Sequence, residues 1–485
     1  MKVMRQHQVE AIHLLRKSYS AGKRRPILQL PTGAGKTVIA ANIIRTAREK
    51  GNKVLFIVDA ISLIDQTLEA FYDEGLHSIG VIQADHVMTD YSKPIQIASV
   101  QTLQRRPRLP ECDLIIVDEC HSCNAWLFNQ FVAGEWTKTP VIGLSATPWA
   151  KGLGNIYDHL ITPVTMQQLI DLGHLSTFRV FAPSHPDLGN VSTQAGDYHA
   201  KQLAEVMEGD GIIADIVATW KQLAEGRPTI AFCVDRAHAK KVQERFEQAG
   251  VPAGYIDAKT ERDERKAIRK QLDEGKIKVV TSIGCLTKGV DWAIGCIILA
   301  RPTKSKMLYV QMVGRGLRVN PGIPDCIILD HSDNTLRMGF VTDIQENELC
   351  TGKRGINQKT NDREPLPKEC PKCSFLKPPK VSKCPVCEFE PVMVSQIEEA
   401  AGELAEVGKK ARPVDKQLFY REALGYAKQH GKNEKFALAM FRAKFDAWPH
   451  KKNGITPLPP SEYTQRWIRS RLIAYAKGRE KGRAA

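Results

Sequence analysis

Two short runs, far apart in the chain, carry residue types that act on phosphates. Pro31-Thr32-Gly33-Ala34-Gly35-Lys36-Thr37 is a glycine-rich turn ending in an ammonium and a hydroxyl. Gly33 and Gly35 let the backbone curl so that N–H groups point at phosphate oxygens. The helix that follows adds partial positive charge at its start. Lys36 can reach the β- and γ-phosphates, and the Thr37 hydroxyl can ligate magnesium. The strict form of this loop has glycine where this chain has Leu30. The second run, Gln311-Met312-Val313-Gly314-Arg315-Gly316-Leu317-Arg318, sets Arg315 and Arg318 three apart, so one helical face can carry both. Guanidiniums aimed at a γ-phosphate accelerate its transfer by about 10³–10⁵.

Between these runs lie Asp118-Glu119-Cys120-His121 and Ser145-Ala146-Thr147-Pro148. The carboxylate pair follows the apolar Leu114-Ile115-Ile116-Val117, at the end of a strand candidate. Such a pair can divide two tasks: Asp118 holds magnesium, while Glu119 orients and deprotonates the attacking water. Cys120 to Cys123 has the look of a metal fragment, but its position after the carboxylates accounts for it better and no second ligand pair lies nearby. The four runs, in this order, read as an ATP-driven motor acting on nucleic acid. A further chemistry sits downstream. Cys370-Pro371-Lys372-Cys373 and Cys384-Pro385-Val386-Cys387 are two CxxC knuckles at the spacing of a structural zinc site, with all four tetrahedral positions filled. So short a segment has almost no apolar core, so metal binding would supply most of its folding free energy.

The elements that must position these residues alternate. Strand candidates are Ile27–Leu30, Val54–Val58, Ile95–Ser99, Leu114–Val117 and Val141–Leu144, then Thr229–Val234, Lys278–Thr281, Cys296–Leu299 and Cys326–Leu329. Lys36–Glu49 reads as a helix with Val38, Ile39, Ile43 and Ile44 on one face and Gly51 just past its end. Strands alternating with helices imply an α/β fold of parallel sheets covered on both faces, here two similar lobes split near residue 165. Residues 184–211 read as a loop or small insertion, 351–369 as a linker, and Gln396–Val407 as a short amphipathic helix. The expected division is 1–165, 166–350, a linker with zinc ribbon at 351–395, and a basic, mainly helical region at 396–485.

Composition sets further bounds. The formal net charge is +15 over 485 residues, and 19 Lys and Arg against 6 Asp and Glu between 409 and 485 account for +13 of it. A basic segment of this kind suits a polyanionic partner. It also interleaves aromatics. Lys and Arg can neutralise phosphates and exposed rings can stack on bases, yet most of these rings are expected to form a small helical core, with Tyr463, Trp467, Arg466, Arg469 and Arg471 the candidates for contact. No signal peptide and no membrane-length apolar run is evident, so a cytoplasmic protein without disulfides is expected.

These motifs resemble the superfamily 2 helicases, whose core is two RecA-like lobes; the resemblance covers roughly residues 1–345. It implies roles for further residues. Arg5-Gln6-His7-Gln8 resembles the adenine-reading Q motif, with Gln8 the reader. Ser62 to Gln66 and Ser99-Val100-Gln101-Thr102 resemble the strand-contacting motifs Ia and Ib. Asp118–His121 is a DECH form of the DExH box; Ser145 and Thr147, with His121 and Gln311, would couple hydrolysis to movement. Thr281 and Thr287-Lys288-Gly289-Val290-Asp291 resemble motif V, with Thr281 and Thr287 toward nucleic acid and Gly289 and Asp291 toward nucleotide. Arg301 to Ser305, Tyr309 through the Gly-Arg-Gly-Leu-Arg run, and Asp325 to Asp330 are similar to the RadD (YejH)-like bacterial and related phage DNA helicases. That resemblance implies DNA, single-stranded or branched, as the track, a role in repair, recombination or replication, and a repair or replication protein as a further partner. Cys120 and His121 differ from the Ala and Asp of DEAD-box RNA helicases. RNA stays open as a track, since no residue is seen to read the 2′-OH. Two rivals remain: a binding module switched by ATP without movement, and the motor of a restriction system whose nuclease is a separate subunit.

Overall fold

The computed structural model describes residues 3–83, 86–122, 124–194, 196–287, 292–352, 366–390, 413–445, 447–449 and 455–481. The chain divides into two units, Met1–Val392 and Met393–Ala485. In the first, seven strands form one parallel sheet: β1 (Pro26–Gln29), β2 (Val54–Val58), β3 (Ile79–Ile82), β4 (Ile95–Ser99), β5 (Leu114–Asp118), β6 (Val141–Ser145) and β7 (His159–Ile161), in the order 3-4-2-5-6-1-7. Their apolar runs are buried along nearly their whole length, as in Val54-Leu55-Phe56-Ile57-Val58. A parallel sheet covered on both faces has no wet side, so its strands read as continuous rather than alternating apolar runs.

The order places β5, β6 and β1 side by side, with Asp118 opposite Leu144 and Gln29 opposite Ser145. The loops that leave these three strands at their C-terminal ends are therefore neighbours, although they are separated by many residues in sequence. Ligands of open α/β sheets bind at this edge.

A second parallel sheet follows. β8 (Phe178–Phe181) is its edge, and a short antiparallel hairpin, β9 (Thr193–Gln194) with β10 (Asp197–Tyr198), precedes β11 (Thr229–Cys233), β12 (Ala253–Ile256), β13 (Val279–Ser282), β14 (Cys296–Ala300) and β15 (Cys326–Asp330). The order is 12-13-11-14-15-8. The expected α/β class and paired parallel sheets are what the fold has. Strands β3, β7, β8 and β12 were not legible: β3 and β12 contain glycine, β7 spans three residues, and β8 alternates with an arginine. The stretch expected as a loop at 184–211 carries the hairpin and a helix, Ala200–Met207, which buries Leu203 and Met207.

Lys368–Glu369 (β16) and Leu376–Lys377 (β17) form the antiparallel pair of a small ribbon. It adds to the free edge of the second sheet: Phe181 bridges Phe375, the Ala182 N–H donates to the Ser374 carbonyl at 2.9 Å, and the Phe181 and Phe375 rings pack edge to face at 5.5 Å. An edge that would otherwise expose unpaired backbone groups is thereby covered.

The second unit, taken by itself, contains the helices Pro413–Gln429, Glu434–Phe445 and Glu462–Lys481. Its core is Phe419, Tyr420, Ala423, Ala427, Ala437 and Phe441, joined by Tyr426, Met440 and Ile468. Gly425 is obligatory for close packing, because a Cβ there would lie 1.8 Å from the Leu458 carbonyl oxygen. The amphipathic helix expected at 396–407 lies outside the described residues. No described helix is long and apolar enough to cross a membrane.

Candidate functional site

The loop Leu30 to Gly35 leaves β1 and turns into the helix Lys36–Glu49. Gly33 and Gly35 sit at φ +88° and +82°, a region L side chains rarely adopt. Each glycine is also crowded. A Cβ on Gly33 would lie 2.6 Å from Leu175 Cδ2, and one on Gly35 would lie 2.2 Å from Gln8 Nε2. The loop is braced from behind: His7 Nε2 and Gln8 Nε2 both donate to the Ala34 carbonyl at 3.0 Å, and Gln8 Oε1 accepts the Arg5 N–H at 2.9 Å. Gln8 is thus buried against the phosphate loop rather than presented to the open cleft, and Arg5 is the residue of this run that lines it.

Lys36 Nζ lies 2.7 Å from Glu119 Oε1. Glu119 holds a left-handed backbone, φ +46°, with its N–H bonded to Asp118 Oδ1 at 3.0 Å. A non-glycine residue in that region is strained by about 1–3 kcal/mol and is typical of sites where chemistry is done. Electrostatics push the two carboxyls apart. Burial drives the Asp118 carboxyl up, with Glu119 adding to the rise and Lys36 opposing it. Burial acts the same way on Glu119, but Lys36, then His121 and Arg315, outweigh it and hold Glu119 well down. Burial pulls the Lys36 ammonium down, and Glu119 and Asp118 more than reverse that. One ionised base beside a proton-prone partner is the arrangement by which paired carboxylates take different roles.

Arg315 and Arg318 come from the second lobe. They follow the helix Lys306–Val313 and line the same cleft, of about 700 Å³, as Thr32, Gly33, Gly35, Lys36, Thr37, Asp118 and Glu119. The segment joining the lobes holds them there: Leu175 bridges Arg318, and the Ser176 N–H donates to the Leu317 carbonyl at 2.8 Å. Gly314 packs against Thr32 so closely that a Cβ would lie 3.1 Å from its hydroxyl.

A buried hydrogen-bond chain also crosses between lobes. Gln311 Nε2 lies 3.2 Å from both His121 Nε2 and Thr147 Oγ1. His121 Nδ1 lies 2.9 Å from Ser145 Oγ, which accepts the Thr147 N–H at 3.0 Å, and 3.3 Å from Glu119 Oε2. With Gln311 donating to Nε2, the network assigns the imidazole proton to Nδ1. His121, Ser145, Thr147 and Gln311 are all at most 7% exposed. Such chains are costly to leave half-satisfied, so they enforce one arrangement.

The residues expected to touch nucleic acid are placed differently from one another. Gln101 is exposed. Ser99 and Thr102 are buried and cap the helix Val100–Gln104, with Ser99 Oγ accepting the Thr102 N–H at 3.2 Å. Thr281 and Thr287 are also buried, donating to the carbonyls of Gly254 at 3.4 Å and Gly284 at 2.6 Å. Gln66 lines the nucleotide cleft. The inward placements of Ser99, Thr102, Thr281 and Thr287 run against direct strand contact by their side chains, whereas Gln66 is exposed. The hydroxyls instead satisfy local backbone groups, the ordinary alternative for Ser and Thr. The Ser62 side chain, and Gly289 and Asp291, lie outside the described residues. Sequence reading passed over the roles of His7, which bonds the loop beside Gln8, and of Leu175, which packs against Gly33.

Cys370, Cys373, Cys384 and Cys387 bring their sulfurs within 4.8 Å of one another, with Cys370 to Cys387 at 3.6 Å and Cys373 to Cys384 at 3.7 Å. Zinc–thiolate bonds of ~2.3 Å in a tetrahedron place sulfurs roughly 3.8 Å apart, so the donor set fits zinc. Among the described residues no disulfide is present, and Cys233, Cys296 and Cys326 are buried within the strands of the second sheet.

Comparisons with known proteins agree with this geometry. Residues 1–150 match the family described as Type III restriction enzyme, res subunit, and residues 212–320 match Helicase conserved C-terminal domain. The chain is 32% identical over 356 residues to the putative ATP-dependent helicase IRC3 of Saccharomyces cerevisiae, covering 68% of this chain and 51% of that protein. It is 24% identical over 320 residues to the ATP-dependent DNA helicase uvsW of Enterobacteria phage T4, covering 61% and 62%. A fragment of a putative HsdR subunit of a type I restriction enzyme from Vibrio vulnificus shares the fold, with a TM-score of 0.53, 22% identity, and coverage of 70% of this chain and 66% of that one. The chain thus spans about half to two thirds of the length of these relatives.

Proposed function

The chain belongs to the superfamily 2 helicases and carries their ATP-hydrolysing core, and from that premise we propose that it is a motor that couples ATP hydrolysis to movement on DNA. One observation carries the reading: a single cleft is lined by Lys36, Asp118 and Glu119 of the first lobe and by Arg315 and Arg318 of the second. The phosphates of ATP lie over the loop Thr32 to Thr37, against its N–H groups and Lys36. Thr37 and Asp118 would hold magnesium, whose charge would draw electron density from the γ-phosphate. Bound phosphate competes with Glu119 for the Lys36 ammonium, and Glu119, once released, accepts a proton from water. Arg315 and Arg318 meet the charge that gathers on the γ-phosphate, so hydrolysis depends on the second lobe being in place. The Gln311–His121–Ser145–Thr147 chain carries that dependence into the fold, since His121 adjoins Glu119 while Gln311 rides with the arginines. The Gln8 and His7 brace holds the loop in its binding form.

On nucleic acid, exposed Gln101 is the side chain offered for contact, and buried Ser99, Thr102, Thr281 and Thr287 shape the backbone around it. DNA is favoured by the uvsW and restriction-subunit relatives. A place in repair, recombination or replication, with a protein of that machinery as partner, rests on the RadD-like runs at 301–305 and 325–330. The four cysteines hold one structural zinc. The division of labour we propose is that of two motor lobes at 1–165 and 166–350, a ribbon at 351–395 and a basic helical region at 396–485. The match to a restriction res subunit favours one alternative, a restriction motor awaiting a separate nuclease.

ATP turnover measured with no nucleic acid, single-stranded DNA, duplex DNA, branched DNA and RNA tests the reading. Stimulation by a DNA form is expected. A rate equally low across all five would overturn the motor, and stimulation by RNA alone would overturn DNA as its track.

A further inference from the structure

The hairpin of β9 and β10 has no task in the nucleotide chemistry described above. It closes over the loop 301–305, which joins β14 to the helix Lys306–Val313. That helix carries Gln311 and leads into Arg315. Asp197 holds the loop at two points: Oδ2 accepts the Thr303 hydroxyl at 2.7 Å, and Oδ1 accepts the Lys304 N–H at 2.7 Å. From Thr303 the bonding continues into the helix. The Thr303 hydroxyl oxygen accepts the Ser305 N–H at 3.0 Å, and Ser305 Oγ caps the helix by accepting the Leu308 N–H at 3.2 Å. The hairpin takes the Lys304 side chain as well. Its ammonium bonds the Thr193 hydroxyl and lies 4.6 Å from the Tyr198 ring centre, with the Arg337 guanidinium 5.7 Å from the same ring.

A hairpin of two-residue strands has little stability of its own. This one is rooted in the second lobe, where Tyr198 packs beside Val191, Leu203, Met207 and Val234. The opposite side of the loop is gripped by Asn334, whose Oδ1 accepts the Thr303 N–H at 2.9 Å and whose Nδ2 donates to the Arg301 carbonyl at 3.0 Å. Thr303 is fully buried, so without Asp197 its hydroxyl cannot turn to water and the loop must shift to satisfy it. A carboxylate at the start of a helix also meets the positive end of the helix dipole.

We propose that Asp197 is a positioning residue for ATP hydrolysis: through Thr303 and Ser305 it fixes the start of the helix Lys306–Val313 and so sets where Arg315 stands in the cleft. Asp197 does not line that cleft, so its effect passes through the helix. The tolerance there is small, because Gly314 already packs against Thr32 of the phosphate loop. A reacting group misplaced by about 1 Å can cost about 10²-fold in rate. The inference rests on the assignment of Arg315 to the γ-phosphate.

The test is ATP turnover by the full chain, beside equilibrium binding of a fluorescent non-hydrolysed ATP analogue. Asp197→Ala should lower kcat by about tenfold to 10²-fold while KM and analogue affinity stay near the wild-type values. Asp197→Asn, which keeps an acceptor for the Lys304 N–H and a polar partner for Thr303, should restore most of the rate. In single-turnover measurements, Asp197→Ala added to Arg315→Ala should cost nothing beyond Arg315→Ala alone, since both changes act through one group. Thr303→Val removes the same bond from its other partner with little change in volume, and it is read in the same way should Asp197→Ala fail to fold. Wild-type kcat in Asp197→Ala, or a further loss on the Arg315→Ala background, would overturn the proposal. Full turnover in Arg315→Ala would instead remove the arginine from the chemistry and take this inference with it.

Discussion

Lys36 and Glu119 face each other at 2.7 Å in a largely buried cleft, and each is what keeps the other charged there. Removing one leaves an uncompensated group. Lys36→Ala and Glu119→Gln are therefore both expected to reduce ATP turnover by at least about 10²-fold, the scale of lost general-base catalysis, while leaving nucleic-acid affinity within a few-fold. Wild-type turnover in either variant would remove these residues from the chemistry. Two histidines report on a different residue property. Burial drives the His331 imidazole down to about 3 and that of His238 down to about 4, from an ordinary 6.5. Both stay neutral in the fold and gain a proton only on unfolding, so stability is lost as pH falls below 6.5. The expected loss by pH 5 is about 2 kcal/mol for each, read from urea unfolding at pH 7 and pH 5. A flat profile would mean that neither imidazole is held neutral.

At the scale of elements, the ribbon is a guest on the edge strand β8, seated by Phe375 against Phe181 and by the pairing of His185 with Asp333 at 2.8 Å and Glu369 at 2.9 Å. Its own apolar content is small, so the cysteine cluster must hold it together. Cys370→Ser is expected to remove one bound zinc per chain, measured by release to a colorimetric chelator, and to open the segment 366–390 to trypsin. Freeing Phe181 and Phe375 from each other should also cost the second lobe about 1.5–3 kcal/mol per ring fully exposed. Zinc content of one that survives the substitution would refute the ligand assignment. The buried strands were legible because their apolar runs are continuous; β3, β7, β8 and β12 were not, because short strands marked by glycine or arginine are decided by their neighbours in the sheet. The ring-bearing helices at 413–481 divide as expected in the main, with Phe419, Tyr420, Tyr426 and Phe441 inside and Tyr463 outside.

For the whole molecule the decisive contacts are those between lobes. Arg262 pairs with Asp65 across them at 2.5 Å, but at a solvent-exposed position, where such pairs contribute about 0–1 kcal/mol. The buried Gln311 chain and the two arginines are the stronger coupling. Arg315→Ala should lower turnover at saturating ATP by about 10³–10⁵ with little change in nucleotide affinity, measured by equilibrium binding beside steady-state rates. Gln311→Ala should instead preserve basal turnover better than it preserves stimulation by nucleic acid. Equal loss of both would place Gln311 in the chemistry rather than in the coupling.

The sequence by itself determined the nucleotide chemistry, because a glycine turn before a helix, a carboxylate pair after an apolar strand and two CxxC knuckles are local patterns whose geometry the backbone enforces within a few residues. It also determined the sheet class, through the length and continuity of its apolar runs. Only the tertiary structure decided which way side chains face. It turned Ser99, Thr102, Thr281 and Thr287 inward to cap their own backbone, drew Gln8 onto the phosphate loop, and set Gln66 in the nucleotide cleft. It likewise decided that the ribbon extends the second sheet and that Lys444 packs against the rings of Phe419 and Tyr463. Such facts depend on which unpaired backbone groups and uncovered rings remain once the sheets have formed, and no local pattern carries that information.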